Sequence, residues 1–387
     1  MLLWVAAALA GSVEAGLATP DGHRYALFRP DGWTAERQWP VVVVLDPRGR
    51  AEEALQAWIP AAERLGAVVA SSYDSRSDVV GDDPTVPAVR AILLALPEVA
   101  AAAPDQVVLA GMSGTARVAW GVGAAAPEVV AGVIGVAGAT PDGGLPGDAP
   151  PFPWVGVAGT RDFNWQEVRR TDVALRAAGG DSAFLGFVGE HGWAPPAVLD
   201  RALAVLAGES DRLADVALPE APTVAVDDAV QDRLARSEDA FAMRLSQLTS
   251  WLADPARAVP GLARGRSALQ VRRVEKQAAA GGPEADAAAR MLALARVQLG
   301  FYVPRGLPDV PRRRAALELA ASLPAPDARL LYDLACARAL DGDASAALDA
   351  LRRAVDAGFA DRAYALQDPD LASLRADPGF AAALERR

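Results

Sequence analysis

A serine flanked by small residues stands where a strand pattern ends and a helix pattern begins. The stretch Gln106–Ala110 is apolar, Ser113 follows in the sequence Gly-Met-Ser-Gly-Thr, and an alanine-rich stretch (116–126) comes next. A tight turn from a strand into a helix holds a serine hydroxyl clear of the backbone, and it accepts only small side chains near the serine. The pattern therefore predicts that Ser113 is a nucleophile. Thr115 departs from it, since a second glycine is usual there, and a structural serine in a tight turn is the alternative.

Only two histidines are available as the base that such a serine needs. A serine hydroxyl becomes a good nucleophile when an adjacent base takes its proton, and a third group must orient that base. His191 follows the last predicted strand, whereas His23 lies among turn residues before the first. Since the usual chain order is serine, acid, histidine, we expect His191 to be the base and His23 to lie at the surface.

The acid is expected at the end of the strand that lies between the serine and the histidine. Trp154–Ala158 is that strand, and Asp162 closes the Gly-Thr-Arg-Asp segment after it, so we predict Asp162 as the acid. Three other aspartates in this part of the chain fit turn positions better: Asp142, Asp148 and Asp181. Glu190 is adjacent to His191 in sequence, and neighbours in sequence rarely face each other.

Two backbone N–H groups are expected to stabilise the oxyanion that forms when a serine attacks a carbonyl. The first is the amide of Gly114, directly after the serine. The second should come from the loop after strand Val41–Leu45. Pro47 has no N–H, so Arg48 is the better candidate there.

Hydroxyl groups end the next predicted strand. Ser71, Ser72 and Tyr73 stand at the carboxyl edge of the sheet, where ligands bind in open α/β sheets. We expect these three residues to line the substrate pocket, although a hydroxyl-rich loop is equally common without that role.

Short apolar runs that alternate with amphipathic stretches carry these residues. The predicted strands are 41–45, 67–70, 106–110, 133–136, 154–158 and 183–188. The predicted helices are 52–65, 86–96, 116–126, 166–177 and 196–206. Strict alternation indicates an α/β fold, a doubly wound and mainly parallel sheet with helices on both faces. We place this domain at 16–208.

The strand signal stops after Gly208. Residues 209–226 are rich in Asp, Glu and Pro and predict a linker, and 227–387 has helical periodicity, which predicts an all-α domain. The part 330–359 resembles one tetratricopeptide repeat, with small alanines where two helices would pack and Gly342 at the turn. A weaker helix pair is expected at 285–323. An ordinary helical bundle is the alternative, since a free-standing repeat array needs about three repeats.

Composition excludes several other classes of protein. The net charge is −11, which argues against a nucleic-acid binder, since phosphate backbones require a basic face. Cys336 is the one cysteine, so an intrachain disulfide and a cysteine-cluster metal site are excluded. No apolar run reaches the ~18 residues of a membrane span.

Residues 1–15 resemble a signal peptide in their apolar length and in the small residues before Gly16, although no Lys or Arg precedes the run. We therefore expect a periplasmic or secreted protein, with a cytoplasmic one as the alternative. In the cytoplasmic reading, the apolar run reflects a mis-chosen start codon or a buried N-terminal segment.

The part from about Tyr25 to Leu206 resembles the α/β-hydrolase superfamily, nearest to its dienelactone hydrolase-like and polyhydroxyalkanoate depolymerase-like esterases. The motifs that carry the resemblance are Leu45-Asp46-Pro47-Arg48-Gly49, Gly111-Met112-Ser113-Gly114-Thr115-Ala116-Arg117, Gly159-Thr160-Arg161-Asp162 and Glu190-His191-Gly192-Trp193. The resemblance implies Ser113 as nucleophile, Asp162 as acid and His191 as base. Dienelactone hydrolases use a cysteine nucleophile, which this chain lacks, so their lactone substrate does not carry over.

The resulting hypothesis is a serine esterase that works through an acyl-enzyme on a small or polymeric ester and needs no metal or organic cofactor. One alternative is a serine peptidase of the prolyl-oligopeptidase type, although its usual propeller domain is absent from this sequence. Another is an interaction protein whose helical repeats bind a protein partner while the hydrolase fold serves as scaffold. Thr115 favours the scaffold, and the complete serine, acid and histidine set argues against it.

Overall fold

The computed structural model describes residues 11–77, 83–141, 144, 147–208, 223–254 and 264–385. It divides into two compact units, one that ends at Val226 and one that starts at Asp227. Residues 1–10 of the predicted signal peptide and 209–222 of the predicted linker lie outside the described residues. Among the helices in the described ranges, none combines the length and the apolar character that crossing a bilayer requires.

Eight strands form one mixed sheet in the first unit. They are β1 (Ser12–Ala18), β2 (Arg24–Arg29), β3 (Trp39–Leu45), β4 (Val68–Ser72), β5 (Ala102–Met112), β6 (Val130–Val136), β7 (Trp154–Gly159) and β8 (Ser182–Phe187). Their order across the sheet is β1-β2-β4-β3-β5-β6-β7-β8. Strand β2 runs antiparallel to both of its neighbours, and all pairs from β4 to β8 are parallel. The predicted α/β class, with a doubly wound and mainly parallel sheet, is confirmed.

Five helices cover the two faces of this sheet and create two separate apolar cores. They are α1 (Ala51–Leu65), α2 (Thr85–Ala100), α3 (Gly114–Ala125), α4 (Trp165–Ala177) and α5 (Pro196–Leu206). Side chains of α1 and α5 contribute to one core, and those of α2, α3 and α4 to the other. Strand β3 feeds both, since Val41 and Val43 face one core while Val42 and Val44 face the other. Burial on both faces explains the continuous apolar sequence of the central strands.

The antiparallel pair β1 and β2 was not predicted. Strand β1 lies at the edge of the sheet and is largely exposed, so it lacks the apolar run that marks the central strands. Residues Ser12–Glu14, which belong to the predicted signal peptide, pair in this strand with Leu27–Arg29 of β2.

The described residues of the second unit form helices and the turns that connect them. Its helices include α6 (Asp228–Ala253), α7 (Val271–Ala278), α8 (Gly282–Val297), α9 (Val303–Gly306), α10 (Val310–Ala321), α11 (Ala328–Leu340), α12 (Ala344–Asp356), α13 (Arg362–Gln367) and α14 (Pro378–Ala383). A π-helical turn (Gln298–Tyr302) joins α8 to α9, and a 3₁₀-helix (Pro369–Leu374) follows α13. Helices α11 and α12 span the segment with the repeat pattern, and Gly342 between them has a φ of +81°. That this pair is a tetratricopeptide repeat stays a prediction.

Aspartate side chains start most of these helices. Each accepts a hydrogen bond from a backbone N–H of the first turn, which satisfies one of the donors that a helix start leaves unpaired. The capping residues are Asp227, Asp309, Asp327, Asp343, Asp361, Asp368 and Asp377. A part of the negative charge of this unit therefore serves to begin helices.

The buried ion pair between α6 and α8 gives a stability prediction. Arg290 is 2% exposed and donates to both carboxylate oxygens of Glu238, at 2.9 and 2.6 Å. Glu238→Ala should reduce the free energy of unfolding by about 3 kcal/mol, because the buried guanidinium then loses the carboxylate that accepts two of its hydrogen bonds. Urea denaturation followed by circular dichroism measures this loss.

The matched control is the exposed pair of Arg233 with Glu284, whose side chains are 60% and 40% exposed. Glu284→Ala should cost less than about 1 kcal/mol, since water screens exposed pairs. Equal losses for the two variants would show that burial does not set the strength of the Arg290 pair.

Candidate active site

The backbone at Ser113 has the geometry of a nucleophile turn. Ser113 has φ +58° and ψ −124°, between the end of β5 and the start of α3. A Cβ on Gly111 would lie 2.3 Å from the carbonyl oxygen of Thr115, and a Cβ on Gly138 would lie 2.4 Å from that of Ser113. Both positions therefore require glycine, and the packing around the turn forces the serine into a conformation that side chains rarely adopt.

Thr115 fits in the turn, and its hydroxyl forms hydrogen bonds to the backbone there. The side chain is fully buried. Its Oγ1 donates a short hydrogen bond to the carbonyl oxygen of Leu45 at the end of β3, and it accepts one from the amide of Met112 at 3.1 Å. The threonine thus joins the ends of two neighbouring strands, so this departure from the usual glycine does not open the turn.

Three loops bring a serine, a histidine and an aspartate into one hydrogen-bonded chain. Nε2 of His191 lies 3.0 Å from Oγ of Ser113, and Nδ1 of the same ring lies 2.9 Å from Oδ1 of Asp162. The three residues follow β5, β8 and β7 respectively, and these strands end at the same edge of the parallel sheet. Since a carboxylate can only accept, Nδ1 carries the proton and Nε2 is left to accept from the serine hydroxyl.

The carboxylate of Asp162 is fully buried. Oδ1 accepts from the His191 ring and also from the amide of Asn164 at 2.8 Å. Asn164 in turn donates from Nδ2 to the carbonyl oxygen of Ala137, at 2.7 Å. The loop after β7 is thereby tied to the loop after β6, and this connection fixes the direction in which the carboxylate faces the imidazole.

An aromatic ring holds the imidazole from the side. The ring of Phe163 stacks on that of His191, with centroids 4.2 Å apart and planes 24° apart. The imidazole is therefore held by contacts at both nitrogens and on a ring face. The sequence analysis did not identify Phe163, although its position directly after the predicted acid was a signal that it lies at the site.

Asp46 connects the loop after β3 with the loop that carries the histidine. Its buried carboxylate accepts from the side chain of Arg50 at 2.9 and 3.2 Å and from the indole N–H of Trp193 at 2.9 Å. Burial raises the pKa of Asp46, but the hydrogen bonds from Arg50, Trp193 and the loop amides outweigh it and hold that pKa below its usual range. Trp193 also packs edge-on against Trp58 of α1. Two residues beyond His191, the chain is thus anchored to the body of the sheet unit.

The structure does not present the amide of Arg48 as a second oxyanion donor. That amide donates to Oδ1 of Asp46 at 2.8 Å, in the local turn that an aspartate makes with the residue two positions later. Of the two expected donors, the amide of Gly114, directly after Ser113, remains a candidate. Sequence position alone could not reveal this, because it depends on the direction of the Asp46 side chain.

Two of the three expected pocket residues, Ser71 and Ser72, are corrected by the structure. Ser71 and Ser72 are fully buried, because β4 is covered on both faces and lies between β2 and β3. Tyr73 is half-buried and its hydroxyl donates to Glu52 at 2.6 Å. Ser71 and Ser72 therefore do not line an open pocket.

The other histidine and the other candidate acids are not part of the hydrogen-bonded set of Ser113, His191 and Asp162. His23 is near Asp74, with 3.3 Å between Nδ1 and a carboxylate oxygen. The other candidate acids Asp148, Asp181 and Glu190 are exposed, and Asp142 lies outside the described residues.

One group of potential metal ligands lies in the described ranges, and it belongs to the helical unit. Cys336, Asp368 and Asp370 offer ligand atoms within 4.8 Å of one another. Asp368 already accepts from the hydroxyl of Tyr332 at 2.7 Å, and burial raises the pKa of the Cys336 thiol. A thiol binds metals as a thiolate and Asp370 is exposed, so Cys336 and Asp368 are better described as a hydrogen-bonded pair in the core.

Comparison with known proteins finds no matching family model and no match among curated proteins. Among solved structures, an esterase of Pyrobaculum calidifontis is similar over 51% of this chain and 85% of its own, with 14% identity and a TM-score of 0.42. The esterase LipW of Mycobacterium marinum is similar over 54% of this chain and 83% of its own, with 17% identity and a TM-score of 0.42. A ferulic acid esterase is similar over 50% of this chain and 95% of its own, with 14% identity and a TM-score of 0.39.

The Asp46 network predicts a pH-dependent loss of stability. Because the folded state depresses the pKa of Asp46, its stabilising contribution is complete above the unfolded pKa of about 3.9 and disappears as the pH falls through the folded pKa. Asp46→Asn should lower the free energy of unfolding by about 2 kcal/mol at pH 7, since it removes charge-assisted hydrogen bonds. The difference from wild type should shrink below about pH 4.

Thermal melts of both proteins between pH 3 and pH 8 measure this difference. Glu53→Gln is the control, because Glu53 pairs with the same Arg50 but is 63% exposed. A gap between wild type and Asp46→Asn that stays constant down to pH 3 would contradict the assignment.

Proposed function

We propose that this protein is a serine hydrolase that cleaves carboxylic esters through an acyl-enzyme. The observation that carries the proposal is the hydrogen-bonded chain from Ser113 through His191 to Asp162, with the serine at a backbone turn of positive φ. A nucleophile, a base within hydrogen-bond reach and a third group that orients the base are the parts that acyl transfer requires.

Acylation begins when Oγ of Ser113 forms a bond to the carbonyl carbon of the ester. Nε2 of His191 accepts the hydroxyl proton as that bond forms, and the carbonyl oxygen becomes a tetrahedral oxyanion. The imidazolium then gives the proton to the alkoxide, the bond between carbon and alkoxide oxygen breaks, and the alcohol leaves. Deacylation repeats the sequence with water as the nucleophile, which releases the acid and restores the serine hydroxyl.

Asp162 and Gly114 support this chemistry without exchanging protons. The buried carboxylate of Asp162 keeps the His191 tautomer that accepts at Nε2, and it stabilises the positive charge of the imidazolium. The amide of Gly114, at the start of α3, donates to the oxyanion as charge develops there.

No feature of the described residues favours the peptidase. The structure also weakens the argument for the scaffold alternative. That alternative depended on Thr115, whose hydroxyl bonds to Leu45 and Met112 and keeps the turn closed. A protein partner of the helical unit and export from the cytoplasm stay predictions.

Substitution of the triad tests the proposal. Wild type should hydrolyse p-nitrophenyl acetate and react with a fluorophosphonate probe, and Ser113→Ala should do neither while its melting temperature stays close to that of wild type. Asp162→Asn should lower kcat by about 10⁴-fold, because the imidazole then loses the partner that fixes its tautomer.

Asp181→Asn is the matched control, since Asp181 is an exposed aspartate of the same unit, and it should leave turnover unchanged. A folded wild-type chain that neither hydrolyses the ester nor takes the label would refute the proposal that this protein is a serine hydrolase. Unchanged turnover in Asp162→Asn would refute only the assignment of Asp162 as the acid.

A further inference from the structure

Three arginines line a cavity of about 290 Å³ in the helical unit, beside helices α6, α7 and α8. Arg236 and Arg244 lie on α6, and Arg273 lies on α7. Two carboxamide side chains also line the cavity, those of Gln270, directly before α7, and Gln277, near its end. Among the described residues of this lining, none carries a carboxylate. This arginine cavity therefore combines positive charge with hydrogen-bond donors, in a chain whose net charge is −11.

The three arginines of this cavity have no counter-charge in the part of the chain that the structure describes. Arg236 and Arg273 are exposed, and neither forms an ion pair with a described residue. The guanidinium carbon of Arg244 lies 5.8 Å from the centre of the Phe241 ring, and its buried Nε has no hydrogen-bond partner among the described residues. Positive charges around one cavity repel each other, so an anion placed there is attracted to all three.

Two carboxylates of the same helices pair with other arginines. Glu238 of α6 lies 2.6 Å from Arg290 of α8, and Glu275 of α7 lies 2.8 Å from Arg266. Neither carboxylate belongs to the lining of the arginine cavity. These two acidic residues therefore do not neutralise it.

The donors of this cavity fit a phosphoryl group better than a carboxylate. A guanidinium is a planar fork of N–H donors that matches the oxygens of both groups. Three guanidiniums and two carboxamides offer more donors than the two oxygens of one carboxylate accept. The phosphoryl group of a monoester presents three acceptor oxygens and a charge of about −1.5 to −2 at pH 7. The chemistry of the lining therefore favours a phosphate monoester.

Apolar side chains complete the lining and limit the size of the ligand. Val274 of α7 and Met291 of α8 are each 3% exposed, and both line the arginine cavity. They offer a surface to carbon atoms beside the charged group. Ligand pockets usually measure about 300–1,000 Å³, so a cavity of about 290 Å³ suits a small molecule.

We propose that the arginine cavity is a binding site for a small phosphate monoester. The guanidiniums of Arg236, Arg244 and Arg273 donate to the phosphoryl oxygens, and the carboxamides of Gln270 and Gln277 add neutral donors. The organic part of the ligand lies against the apolar lining. Binding is reversible, and no covalent bond forms or breaks. The inference does not rest on the function proposed above, because it concerns residues of the helical unit alone.

Titration calorimetry of the full chain with glycerol 3-phosphate, at low salt and at about pH 8, tests the proposal. At this pH the monoester is a dianion, since its second pKa is about 6. Wild type should bind one equivalent. Arg236→Gln and Arg273→Gln should each raise Kd at least about tenfold, because each removes a charge-assisted hydrogen bond. Both arginines are exposed, so these substitutions leave the core of the helical unit in place.

Arg233→Gln is the matched control. It removes the same charge from the same helix, but Arg233 pairs with Glu284 at 2.8 Å and does not line the arginine cavity. The Kd of this variant should stay within about twofold of the wild-type value, since water and salt screen a charge outside the site.

Several outcomes decide the matter. Weaker binding in Arg236→Gln and Arg273→Gln, with Arg233→Gln unchanged, supports the site. A wild type that binds no glycerol 3-phosphate overturns it, and so does equal weakening by Arg233→Gln, because net charge alone then explains the binding. Succinate is the second probe, and binding as tight as that of the monoester overturns the preference for phosphate. Ser113→Ala should bind glycerol 3-phosphate as wild type does, so failure of the proposed esterase leaves this result unaffected.

Discussion

The positive φ of Ser113 is the constraint on which the rest of the site depends. A residue other than glycine in such a conformation costs about 1–3 kcal/mol, and the surroundings must offset that cost. The amide of Ser113 donates to Val136 of β6, and the hydroxyl of Thr115 bonds to Leu45 of β3. Since strands on both sides hold the turn, the sheet fixes the direction of the Ser113 side chain.

The parts of this arrangement that depend on strand order could be predicted from the sequence. Central strands such as β3 are buried on both faces and therefore read as unbroken apolar runs. In a parallel sheet the ends of these strands lie along one edge, so a serine, an aspartate and a histidine that each follow a strand are placed at that edge. The loops after β5, β8 and β7 then bring Ser113, His191 and Asp162 within hydrogen-bond distance there.

The parts that depend on side-chain direction could not be predicted in this way. Whether the Arg48 amide is free depends on the turn that Asp46 makes, and the burial of Ser71 depends on which strands flank β4. Phe163 acts through its contact with His191, which is distant from it in sequence, and a single chain carries no pattern for such a contact. Strand β1 was missed for another reason, since an exposed edge strand has no need of the apolar run by which strands are recognised.

Asp46 and Trp193 join two loops that are 147 residues apart in the chain. Neither loop can change its length or be exchanged alone. The buried carboxylate of Asp46 would then lose the hydrogen bond from the indole N–H, and a buried charge without its hydrogen bonds destabilises the fold. A loop graft from another protein would therefore have to carry both segments together. Redesign of selectivity is better directed at segments that do not share this carboxylate, since there an insertion leaves the imidazole where it is.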